Sequence, residues 1–142
     1  MIGIFIALIS GGLMSIQGVF NTEVTKASSV WASASWVQLS ALATCLAVWG
    51  TRERGNLLNV FQVSPKYMLL GGVIGAFITF TVIKSMESLG PAKSAMLIVI
   101  AQLAVAWLIE LFGIFGMEKT AFSVRKLIGM LIAIAGIITF EL

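Results

Sequence analysis

A chain of 142 residues that is 59% hydrophobic and only 11% charged holds more apolar surface than a soluble domain of that size buries, so lipid is its expected solvent. Its formal charge of +3, scattered along the chain, excludes a nucleic-acid footprint. It has no His and shows neither a metal-ligand cluster nor a nucleophile-and-base pair, which argues against an enzyme and leaves no cofactor to expect.

Five apolar runs reach the roughly 17–25 residues that cross a bilayer: 2–20, 30–50, 66–86, 92–115 and 124–140. The first has no Lys or Arg before it and no small-x-small cleavage site, so it is expected to be a retained helix. Along it Ser10, Met14, Gln17 and Asn21 recur at helical spacing as one polar stripe. Such a stripe either hydrogen-bonds a neighbouring helix or lines a cavity for a polar solute. A polar stretch, 21–29, separates it from the second run.

The second run carries a similar stripe of Ser33, Trp36, Ser40 and Thr44. Trp31, at the run's start, is expected to anchor at the membrane interface. Trp36 lies deeper, where its ring face would attract a cation. Cys45, the one cysteine, lies in an apolar run and reads as a packing residue. Segment 57–63 is too short to span and is expected at the interface, and Pro65 suits the first turn of the third helix. That helix places Gly71 and Gly75 on a face for close backbone approach. Lys84 and Glu87 are spaced i,i+3 for a pair as it emerges.

Gly90 and Pro91 break the chain before the fourth run. Here Gln102 and Glu110 lie about 80° apart around the helix, with Ala106 between them, and are expected to share a cavity edge. A carboxylate in lipid costs about 2.5 kcal/mol or more near the bilayer centre. Glu110 is therefore expected to face a protein interior, a watery cavity or a partner, unless it lies near enough to the surface to be solvated. Desolvation disfavours the charged form of a carboxyl, which makes Glu110 the expected proton carrier. Ser123 is a fitting N-cap for the fifth helix, on which Gly129, Ala133 and Gly136 mark a face for close contact within or between chains.

With five spans the termini lie on opposite sides. Six basic residues (Arg52, Arg54, Lys66, Lys119, Arg125, Lys126) then share one side and three (Lys26, Lys84, Lys93) the other. The bias favours an inside N-terminus. A split this even also permits insertion in both orientations.

The segment Gln102-Leu-x5-Ile-Glu-Leu-Phe-Gly-Ile-Phe-Gly116, followed by the block from Phe122 to Gly136, resembles the YdcZ-type family of the drug/metabolite transporter superfamily. Gly11 or Gly12, Gln17 and Asn21 also match its start, although that family commonly carries Asp where this chain has Glu110. Gly129-x6-Gly136 resembles the dimer-contact helix of small multidrug resistance transporters. The resemblance implies a small five-helix protein of the bacterial inner membrane, half of a ten-helix inverted-repeat carrier. It would be completed by an antiparallel second copy or by a homologous sister subunit.

The expected fold is thus all-α and integral to the membrane, one five-helix domain over 1–142. The expected function is a secondary transporter, exporter-like, for a small polar or cationic metabolite or drug. Alternating access in a two-subunit assembly would be coupled to protons through Glu110. Gln102, Gln17, Asn21, Trp36 and Ser40 would bind solute or proton beside it, and Gly71, Gly75, Gly129, Ala133 and Gly136 would pack helices or copies. The competing expectation is a non-transporting scaffold or accessory subunit, with its polar stripes filled by helix partners.

Overall fold

In lipid every backbone polar group must find its partner within the protein, which a helix achieves along its own length. The computed structural model describes residues 2–141, with only the backbone of Glu141, and among these residues it is 88% helical without strands. Five α-helices follow in order: α1 Ile2–Ala27, α2 Val30–Val48, α3 Gly71–Leu89, α4 Pro91–Phe112 and α5 Val124–Glu141. A π-helical turn, Trp49–Glu53, extends α2, and a 3-10 turn, Lys66–Leu70, leads into α3.

Among the described residues, four stretches are long and apolar enough to cross a membrane: Ile2–Ala27, Val30–Glu53, Lys66–Leu89 and Pro91–Phe112. The fifth helix is the shortest α-helix and begins with Arg125 and Lys126 in its first turn. Segment Leu57–Gln62 is a short 3-10 helix.

The helix ends follow local chemistry. Contrary to the expected break at 20, α1 runs through the polar stretch to Ala27. That stretch has no Gly or Pro, and the Thr22 and Thr25 hydroxyls donate to the carbonyls of Gly18 and Asn21 four residues back. Polar side chains that bond their own helix do not end it. Ser29 does, because its hydroxyl accepts the Ala32 N–H and starts α2. Gly90, at φ 79°, makes the break before α4, and Pro91 takes the first helical position. Ser123 caps α5, accepting the Leu127 N–H on its carbonyl and the Lys126 N–H on its hydroxyl.

The chain forms two compact units, one reaching to Ser88 and one beginning at Leu89. In the first, α1 packs on α2. The Ser33 hydroxyl, fully buried, donates to the Asn21 carbonyl at 2.9 Å and ties the two helices. Met86 of α3 reaches over Gly18 of α1 so closely that a Cβ there would sit 2.4 Å from its Cε. Trp31 of α2 stacks on Phe80 of α3 with ring centroids 4.8 Å apart and meets Phe77 edge-on. The expected interfacial anchor is thus also a packing residue between helices.

In the second unit α4 packs on α5. Buried apolar side chains are few among the described residues, namely Ala34, Ile83 and Met86, whereas Ile4, Leu8, Phe77, Leu103 and Ile132 are exposed. A chain this apolar whose large side chains face outward has lipid for its solvent.

Candidate functional site

The C-terminal end of α4 and the start of α5 build the site. Gly113, at φ 65°, closes α4, its N–H donating to the Ile109 carbonyl, in a conformation that suits glycine. The loop after it folds back along the helix end. The Thr120 N–H donates to the Glu110 carbonyl at 2.9 Å, and a Cβ on Gly113 would lie 3.2 Å from that of Lys119. Trp107 of α4 packs its ring on Phe122, with centroids 5.7 Å apart, just before α5 begins. These contacts set the first turn of α5 beside the last turns of α4.

Glu110 and Lys126 meet there. The Lys126 Nζ donates to Glu110 Oε2 at 2.8 Å, and both side chains are about half exposed, at 42% and 48%. As a partly solvated pair they contribute at most about 1 kcal/mol to stability. Their interest lies in position. Both line a half-open cleft of about 330 Å³ with Leu103, Ala106, Trp107, Gly129 and Met130. That volume is at the small end of ligand clefts, and the walls are mostly apolar apart from the two charged groups.

The sequence-derived candidates divide. Glu110, Ala106 and Gly129 lie on the cleft, while Gln102 is exposed on α4 and is not part of its lining. On α1, Gln17 is exposed and Asn21 is buried, its carbonyl taken by Ser33. On α2, Trp36 is 62% exposed, and the Ser40 hydroxyl donates within its own helix, to the Val37 carbonyl. Gly75 approaches Gln38, whose Nε2 would be 3.8 Å from a Cβ there, but Gly71 faces open space, as do Gly129 and Gly136. Ala133 is exposed.

Two contributors escape sequence reasoning. Lys126 is sixteen residues from its partner and reads as an orientation charge, and Trp107 reads as one more apolar residue. In the other unit, Gly18 is passed over for Gly71 and Gly75. The only available signal for Lys126 is that a carboxylate one loop away needs a cation.

No curated protein and no solved structure matches the chain. A family model, described as "Putative inner membrane exporter, YdcZ", matches residues 2–139. The match agrees with the resemblance carried by the Gln102–Gly136 block and with the outward-facing apolar helices, and it points to transport rather than catalysis. Because nearly the whole length is covered, the chain belongs to the YdcZ family of inner-membrane exporters.

Proposed function

We propose that this chain is one half of a secondary exporter that carries a small polar or cationic metabolite or drug outward in exchange for protons taken at Glu110. Its other half is an antiparallel second copy or a homologous sister subunit. The observation that supports this best is the cleft between α4 and α5, where a carboxylate and an ammonium stand 2.8 Å apart among apolar walls, open to an incoming solute. A half-exposed carboxylate at a cleft mouth can trade one cationic partner for another, be it ammonium, solute or proton.

In this reading α5 is the fifth span, with Arg125 and Lys126 at the interface. An odd number of spans lets two copies generate the inverted repeats used for alternating access. The open face of Gly129, Ala133 and Gly136, where a Cβ on either glycine meets nothing within 4 Å, is the contact for the second copy. Gln17, Trp36, Ser40 and Gln102, all exposed in the single chain, and Asn21, whose carbonyl takes the Ser33 hydroxyl, are the further candidates for binding solute or proton. Glu110 lies in the last turn of α4, so the exchange takes place at one end of that helix and not at its midpoint.

The test is uptake of benzyltrimethylammonium into proteoliposomes under an imposed proton gradient. Wild-type protein is expected to drive it and Glu110→Gln to lose the proton dependence. Proton-driven flux unchanged by Glu110→Gln would remove Glu110 from the mechanism. A non-transporting accessory subunit is the second reading, favoured by the way Asn21 and Ser33 use part of the polar stripes for packing. It predicts no flux from any variant.

A further inference from the structure

The cleft of the proposed exporter already holds a cation. Lys126 is delivered from α5 onto a carboxylate of α4, and the two neutralise each other inside walls made by Leu103, Ala106, Trp107 and Met130. We propose that Lys126 is a built-in competitor: its ammonium occupies the place of the exported solute's cationic group, and the cleft admits an organic monocation with an apolar or aromatic body when Lys126 swings out. This inference rests on reading the cleft as the solute site, and it names the substrate class.

Charge decides the class. With Lys126 in place the cleft carries one negative and one positive group. With Lys126 withdrawn it carries one carboxylate and no cation, beside apolar walls that offer an anion nothing. A monocation restores neutrality, and its body covers the apolar surface. The volume of about 330 Å³ suits a one- or two-ring molecule. Trp107, braced by Phe122, supplies an indole in the wall where a quaternary or primary ammonium is well received.

Withdrawal is open to a lysine in this position. Lys126 stands in the first turn of α5, its side chain about half exposed, and a four-carbon stem can carry the ammonium to water while lying along apolar surface. An arginine would grip the carboxylate with a two-pronged fork and release it less readily. The pair is thus strong enough to keep the cleft shut to weak ligands and weak enough to yield to a better-fitting cation.

Equilibrium dialysis of benzyltrimethylammonium against the full-length purified protein tests this, with the anion phenylmethanesulfonate as the control of sign. Removing the charge but keeping the stem, in Lys126→Met, is expected to tighten the cation's Kd by up to about fivefold, the most that a half-exposed ion pair is worth. Phenylmethanesulfonate should not gain. Glu110→Gln, alone or with Lys126→Met, is expected to abolish cation binding. Cation affinity that is unchanged or weaker in Lys126→Met, or an equal gain for the sulfonate, overturns the proposal. If Lys126→Met does not fold, Lys126→Arg decides: weaker cation binding than wild type supports the competitor, and equal binding overturns it. Proteoliposome flux of the same cation separates this from the exporter reading. Flux with binding indifferent to residue 126 sinks the competitor alone. Lys126-dependent binding without flux in any variant sinks the exporter alone.

Discussion

The two units use polar and small residues in opposite ways. In the first, they close helices on one another: Ser33 spends its hydroxyl on the Asn21 carbonyl, Gly18 admits Met86, and Trp31 stacks on Phe80. In the second, Ser94 is fully buried, but the charged pair at the far end of α4 stays accessible. Glu110 and Lys126 pair at 2.8 Å on the wall of a half-open cleft, and a Cβ on Gly129, also on that wall, would meet nothing within 4 Å. Similar residue types, placed on helices of similar apolarity, thus make a tie in one region and a socket in the other. What separates the outcomes is whether a neighbouring backbone is close enough to take the hydrogen bond.

That contrast can be broken experimentally at its tightest point. Gly18→Leu forces bulk into the space held by the Met86 thioether and is expected to cost about 1–3 kcal/mol in thermal or denaturant unfolding in micelles. Gly18→Ala should cost less, because the atoms it meets are the far end of a flexible side chain. Adding Met86→Ala to Gly18→Leu should recover part of the loss. An unperturbed Gly18→Leu would mean that α1 and α3 do not approach as described.

The aromatic pairs sharpen the contrast further. A double-mutant cycle of Trp31 and Phe80, stacked at 4.8 Å, is expected to give about 0.5–1.5 kcal/mol of coupling. The tilted Trp107 and Phe122 pair, at 5.7 Å, should couple less in stability, yet Trp107→Ala should weaken cation binding where Trp31→Ala does not. Equal effects of the two substitutions on binding would erase the distinction between tie and socket. The smallest expected change belongs to Ser33→Ala, about 0.6 kcal/mol, the average for a hydrogen bond between membrane helices. It should leave binding untouched.

Much of this was legible in the residues. Long apolar runs gave the helices, Gly90 and Pro91 the break before α4, Ser123 the cap of α5, and the Lys84–Glu87 pair its 2.9 Å contact. The Gln102–Gly136 block carried the family. What was illegible depends on which faces meet. A polar stretch after residue 20 looks like a loop until Thr22 and Thr25 are seen bonding their own helix. A helix with several glycines does not announce which of them will touch a neighbour, and so Gly18 stayed hidden while Gly71 stood out. The partner of Glu110 lies beyond a loop, where helical spacing offers no guide.

One residue joins two kinds of control. The main-chain oxygen of Glu110 is held by the Thr120 amide, while its carboxylate is held by Lys126. The connecting segment and the charged tip therefore share a single anchor. A pull on that segment reaches the acid directly, with no relay in between, and under the proposed function this would let the loop set how tightly the cleft holds a cation.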